Sequence, residues 1–184
     1  MTPFFVLSMP RSRTAWLSVY LTGAGVFCFH EAWKHVKTAK ELRSLMESKG
    51  DGPVVNSDST NIFFLDELRE EFPEAKYLRI LSDERRVIES TRRAYGAFEE
   101  AKLLNAYRSA FTGVTADLTV DYAKWTPKTS LEIWNFVSNG KPIDPHWHEQ
   151  VNGMQVRLTA RQIDHDIERA GNNDFGHIQE AIGV

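Results

Sequence analysis

Two guanidiniums and two hydroxyls stand side by side in Pro10-Arg11-Ser12-Arg13-Thr14-Ala15-Trp16, between an apolar run and an amphipathic one. That order suits an anion. The first turn of a helix leaves backbone N–H groups without intrahelical partners, and the helix dipole adds partial positive charge, so a phosphate placed there meets aligned donors. Arg11, Ser12, Arg13 and Thr14 add side-chain donors, with Ala15 and Trp16 beside them. The plain alternative is a surface loop with solvated arginines and a hydroxyl cap.

A group transferred from a phosphate donor needs a base on its acceptor. Two places offer one, His30-Glu31 and Asp58-Ser59, each after a strand-like run. His30 ranks first because an imidazole accepts a proton near neutral pH, and Glu31 second. The alternative for His30 is a structural histidine closing a strand, and for Asp58 a helix cap. Arg85, Arg86, Arg92 and Arg93 cluster around Ser90, either as a solvated helix face or as ligand contacts. His146 and His148 alternate as a metal pair would, but no third ligand accompanies them, and Asp164-His165-Asp166 reads as solvated. No metal is expected. Trp125, Trp134 and Trp147 are read as core or interface residues.

These residues need a scaffold, and the hydrophobic pattern describes one. Apolar bursts at Pro3 to Ser8, Gly25 to His30, Pro53 to Asn56 and Tyr77 to Leu81 alternate with helical patterns, the signature of a mainly parallel α/β sheet flanked by helices. Helices are expected over Thr14 to Leu21, from a Thr38/Glu41 capping box to Gly50, over Asn61 to Glu71, and, after a cap at Ser82 or Asp83, through Arg93. Helical character continues over Phe98 to Phe111, a last strand is expected at Asp117 to Tyr122, and a further helix at Ser130 to Val137. From Lys141 the periodicity fades. The division expected is an α/β domain over 1–140 and an extension over 141–184 that packs on it or forms a lid.

Composition narrows the partners. The 184 residues suit one ordinary domain, and 42% hydrophobic content supports a core. A net charge of -3 gives no broad positive field, so nucleic acid is not an expected partner and any anion site is local. The single cysteine, Cys28, excludes an intramolecular disulfide. Neither a signal peptide nor a membrane span is read, and the expected place is the cytoplasm.

Pro10-Arg-Ser-Arg-Thr-Ala-Trp-Leu17 resembles the 5′-phosphosulfate loop of the sulfotransferase family: Pro, Lys or Arg, Ser or Thr, Gly, Thr, Thr or Ser, aromatic, Leu. All positions match but two, Arg13 in place of Gly and Ala15 in place of a hydroxyl residue. Ala75-Lys-Tyr-Leu-Arg-Ile-Leu-Ser-Asp-Glu-Arg-Arg-Val-Ile-Glu-Ser-Thr-Arg-Arg93 looks like the family's second motif, a strand ending in Arg-Asp-Pro followed by a Ser. In that motif the Arg and the Ser hold the donor's 3′-phosphate. Asp83 and Ser90 match, whereas Ser82 replaces the Arg and Glu84 the Pro. Leu118-Thr-Val-Asp-Tyr-Ala-Lys-Trp-Thr-Pro-Lys is similar to the family's late strand, so the likeness runs from Phe4 to Asn139.

The resemblance implies a P-loop NTPase-like sulfotransferase fold in a small, divergent member, bacterial or phage-like. It further implies that 3′-phosphoadenosine 5′-phosphosulfate is the co-substrate and that sulfuryl passes to a hydroxyl or amine of an acceptor the sequence does not identify. Arg11 matches the family's catalytic basic residue, and the family's base is a His or Glu after a neighbouring strand. Arg92 or Arg85 would take the place of the Arg missing at Ser82. Two alternatives stand beside this. One is a sulfotransferase-derived binding or structural protein without turnover. The other is a small P-loop kinase, against which stands the absence of Gly-x-x-x-x-Gly-Lys-Ser/Thr.

Overall fold

The computed structural model describes residues 1–156 and 159–183. Five strands, β1 (Thr2–Ser8), β2 (Phe27–His30), β3 (Pro53–Ser57), β4 (Lys76–Leu81) and β5 (Leu118–Asp121), form one sheet in the order β2-β3-β1-β4-β5. Every pairing is parallel; Phe4 of β1 sits level with Val55 of β3 and Lys76 of β4. The mainly parallel α/β sheet flanked by helices read from the sequence is the architecture found.

Parallel strands buried on both faces read as continuous apolar runs, and β1 shows why. Phe5 and Leu7 point into one core with Trp33, Leu42, Met46, Phe64, Leu68 and Phe72. Phe4 and Val6 point into the other with Trp16, Leu17, Tyr20, Ile133, Trp134 and Val137. Helix α1 (Thr14–Leu21), after β1, covers the second face, while α4 (Glu84–Tyr95), after β4, sends Val87 into the first. Chain connections thus leave β1 and β4 on opposite sides of the sheet. In open α/β sheets that is where a crevice opens beyond the carboxyl ends of the strands.

Helix α2 (Ala39–Glu47) starts as its sequence indicates, Thr38 Oγ1 accepting from the Glu41 amide at 3.2 Å. The expected helix over Asn61 to Glu71 divides into a 3-10 turn at Ser59–Phe64 and α3 (Leu65–Glu71). The cause is local. Asp58 accepts from the Thr60 amide, the Asn61 amide bonds Asp58 O, and the Asn61 side chain is held in a buried network. Its Oδ1 accepts from Trp33 Nε1 at 2.9 Å and Asn56 Nδ2 at 2.8 Å, and its Nδ2 donates to Val6 O and Asn56 O at 3.0 Å. Asn61→Ala leaves two buried donors unpaired and is expected to cost about 2 to 4 kcal/mol. Urea denaturation measures it, and a loss under about 1 kcal/mol would show that the network carries no weight.

Helix α5 (Glu100–Ala110) precedes β5, and α6 (Pro127–Ser138) begins at a capping box between Thr126 and Thr129. Beyond Lys141 the faded periodicity is misleading: α7 (Pro145–Asn152), α8 (Ala160–Gly171) and α9 (Gly176–Ile182) follow. α7 and α9 are short, and α8 buries no residue fully, yet Ala160, Ile163, Ile167 and Ala170 of α8 recur at helical spacing, a period the sequence reading passed over. The legible signals were the caps, Asp144 before Pro145 and Thr159 with Gln162. Positions 157, 158 and 184 of that extension lie outside the described residues. Trp16 Nε1 donates to Val151 O of α7 at 2.9 Å, and Tyr20 bonds His148 at 2.8 Å. No helix of the described residues is long and apolar enough to cross a membrane.

Candidate functional site

All five strand ends face the same rim, so the loops after β1, β2, β3 and β4 converge there. A cleft of about 400 Å³ opens among them, lined by Arg11, Arg13, Thr14, Ala15 and Trp16 from the first loop and helix. His30 and Glu31 line it from the end of β2, and Arg86 and Ser90 from α4.

The loop from Met9 to Arg13 turns sharply into α1. Arg11 and Arg13 both lie in the left-handed region, at φ 63° and 66°. Glycine enters that region freely and other residues at a cost, which is a physical reason for the glycine that the sulfotransferase pattern has at Arg13. Arg13 is the N-cap of α1 and makes no side-chain cap bond, whereas Thr38, Asp83 and Thr126 cap α2, α4 and α6. The first-turn N–H groups of α1 therefore remain open to an anion, with no acidic side chain in that turn.

The side chains of the loop divide the work. Arg11 Nε donates to Ser90 Oγ at 3.2 Å, joining the loop after β1 to α4 across 79 residues. Ser12 is buried and its hydroxyl meets that of Ser82 at 2.6 Å, so this pair fastens the loop to the end of β4. Arg13 sits among three rings, 5.2 Å from Trp16, 5.4 Å from Tyr122 and 5.2 Å from Trp125. Cations favour such ring faces. Trp16 and Ala15 line the cleft floor, and Trp16 stacks on Tyr20 at 4.8 Å. Arg92 is turned outward to Glu100, and Arg85 to Glu89 at 3.0 Å. Of that cluster Arg86 faces the cleft, donating to Tyr122 Oη at 2.8 Å.

His30 Nε2 lies 3.4 Å from Thr14 Oγ1, beside the start of α1. Burial holds its pKa below the ordinary imidazole value, opposed by the Glu31 carboxylate and reinforced by Lys34. A neutral Nε2 can accept a proton. Glu31, at φ 57°, places Oε1 3.7 Å from His30 Nε2 and gives its other oxygen to Lys34. Asp58 is buried and bonded to the Thr60 amide and hydroxyl and to the Trp33 amide, the capping role. Burial pushes its carboxyl up to about 6.

Of the residues singled out from the sequence, Arg11, Arg13, Thr14, Ala15, Trp16, His30, Glu31 and Ser90 line this cleft, Ser12, Ser82 and Arg92 are not among its lining residues, and Arg86, read only as part of a cluster, is. Sequence reading did not place Tyr95 or Met154 on the cleft wall, since nothing in their spacing distinguishes them from other aromatic or apolar residues, and Tyr122 was read only as the tyrosine that ends the last strand. It also read Asp166 as solvated, whereas Asp166 receives Lys34 at 2.9 Å. His148 bonds Tyr20 and Asn152, and among the described residues no group of three His, Cys, Asp or Glu side chains could hold a metal ion.

No family model matches the chain, and no curated protein matches it in sequence. Among solved structures it is similar to a gluconokinase from Sinorhizobium meliloti 1021, at 17% identity and a TM-score of 0.46, over 76% of this chain and 90% of that one.

Proposed function

We propose that the cleft binds 3′-phosphoadenosine 5′-phosphosulfate and that the protein transfers its sulfuryl group to a hydroxyl or amine acceptor. The observation that carries this reading is the Arg11 to Ser90 hydrogen bond. It joins in one cleft the two residues that resemble the family's 5′- and 3′-phosphate contacts. Charge supports it as well. Arg11, Arg13 and Arg86 line the cleft, and Glu31, the carboxylate among its described lining residues, is paired with Lys34. Such a wall suits a ligand with several negative charges.

In this reading the acceptor oxygen or nitrogen attacks sulfur while the bond from sulfur to the 5′-phosphate oxygen breaks in line. The acceptor's proton passes to His30 Nε2. Negative charge gathering on the departing 5′-phosphate is met by Arg11 and the open amides of α1. Adenosine 3′,5′-bisphosphate leaves. Ser12 and Ser82 act by fastening the loop to β4, and Arg86 is the α4 cation nearest to hand for the 3′-phosphate that the missing Arg would have held.

Ser90 gives a direct test. Adenosine 3′,5′-bisphosphate is expected to bind about tenfold or more tightly than adenosine 5′-monophosphate, since one charged hydrogen bond in a shielded site is worth about 1.5 to 3 kcal/mol. Ser90→Ala removes most of that difference. Calorimetric titration of both nucleotides decides it, and equal affinities for the unaltered protein would favour a binding protein without turnover.

A second reading, a magnesium-dependent kinase, has one observation in its favour. Thr14 opens α1 and Asp58 follows the adjacent strand β3, the places where P-loop enzymes put a magnesium-binding hydroxyl and carboxylate. Against it, three donors already hold Asp58. Thermal shifts with adenosine 3′,5′-bisphosphate and with ATP and magnesium separate the two, because selective binding raises apparent stability.

A further inference from the structure

The corner behind His30 is built by the far end of the chain. Lys34 lies in a 3-10 turn (Ala32–Lys34) directly after Glu31 and grips one oxygen of the Glu31 carboxylate, whose other oxygen lies 3.7 Å from His30 Nε2. From α8, Asp166 takes the same ammonium with both oxygens, at 3.0 and 2.9 Å. Other bonds hold the extension here: Arg169 Nη2 reaches Lys34 O at 3.0 Å, and His177 Nε2 meets Trp33 O at 2.9 Å. Side-chain exposures of 21% for Lys34, 25% for Glu31 and 18% for Asp166 set these pairs apart from freely solvated ones, so water screens them less.

We propose that Lys34 and Asp166 are positioning residues. Asp166 holds Lys34, Lys34 holds Glu31, and the set fixes where the Glu31 carboxylate stands and how much charge reaches His30. This rests on the reading of His30 as the proton acceptor. The signs follow from charge alone. Loss of the Asp166 carboxylate leaves the Lys34 ammonium less neutralised, which makes protonation of His30 harder. Loss of the ammonium frees Glu31 to pair with a protonated His30, which makes it easier. Among the described residues, the other titratable groups facing this corner include Arg11 from the loop after β1, Asp58 from the turn after β3, Tyr95 from α4 and Tyr107 from α5, beside Arg169 and His177 of the extension.

The test is an NMR titration of the imidazoles in the full chain, the His30 signal being assigned by its loss in His30→Gln. Asp166→Asn is expected to lower the His30 pKa and Lys34→Met to raise it, each by about half a pH unit or more, with Asp166→Glu close to the unaltered protein. The acid limb of the turnover profile should move by the same amounts, with KM for the phosphosulfate donor unchanged. Loss of local packing would carry both variants in one direction, towards an ordinary imidazole. Shifts of the same sign in both, or no shift in either, overturn the proposal. If the unaltered protein shows no turnover with the donor, the sulfuryl-transfer reading fails, while the titration still decides whether Asp166 and Lys34 act on His30.

Discussion

Arg11→Ala is expected to lower turnover by about three orders of magnitude while leaving the folded protein as stable as before. The size follows from the proposed transfer, in which Arg11 meets charge that develops on the leaving phosphate and a single lost donor already costs about two to three orders. The intact fold follows from the position. Arg11 contacts Ser90 and belongs to neither core cluster, and its left-handed backbone costs alanine no more than arginine. Arg11→Lys restores the charge without the planar fork and should recover part of the rate. Steady-state kinetics with the phosphosulfate donor, beside a melting curve, give the answer. Turnover and nucleotide affinity both unchanged in Arg11→Ala would remove Arg11 from the site.

For His30→Gln the expected loss is about two to four orders in turnover, with donor affinity kept. Gln preserves much of the size and a hydrogen-bonding end but accepts no proton from the acceptor. The pH dependence gives a second mark. Because burial lowers the His30 pKa, the imidazole stays neutral until the pH falls below the ordinary value of 6.5, so the acid limb of the rate profile lies below that value. Stability has the same sign. As the pH falls through 6.5 the unfolded chain takes up the proton first, so His30 costs stability in that window and His30→Gln removes the cost. Glu31→Gln is the paired control. A large loss in Glu31→Gln with almost none in His30→Gln would make Glu31 the base.

Much of the frame was legible in the sequence because local physics sets it. The apolar bursts at Pro3 to Ser8 and Pro53 to Asn56 announce strands buried on both sides, and β1 and β3 lie there within one residue at each end. Thr14 to Leu21 is the helix expected, and Asp83 caps α4 through the Arg86 amide at 2.9 Å. Where a buried side chain competes with the local pattern, the pattern yields, as Asn61 shows by drawing the start of its helix into a 3-10 turn. Of the three helices after Lys141, α7 and α9 are short and leave little period, whereas α8 carries Ala160, Ile163, Ile167 and Ala170 on one face and was legible but passed over.

By itself the sequence determined the strand-loop-helix at Arg11 to Thr14, the candidate base at the end of the next strand and the alternation that makes a parallel sheet, because each depends on neighbours a few residues apart. Only the tertiary structure decided which side chains meet. It turned Arg86 into the cleft and Arg92 out to Glu100, although both belong to one basic cluster on one helix. It fastened Ser12 to Ser82, joined Arg11 to Ser90, and brought Asp166 from α8 to the ammonium beside Glu31. These are contacts across 70 to 132 residues; the first two arise because parallel strands bring every loop after a strand to the same edge of the sheet, and the third because the C-terminal extension lays α8 beside the turn after β2. Sequence spacing carries no record of that edge.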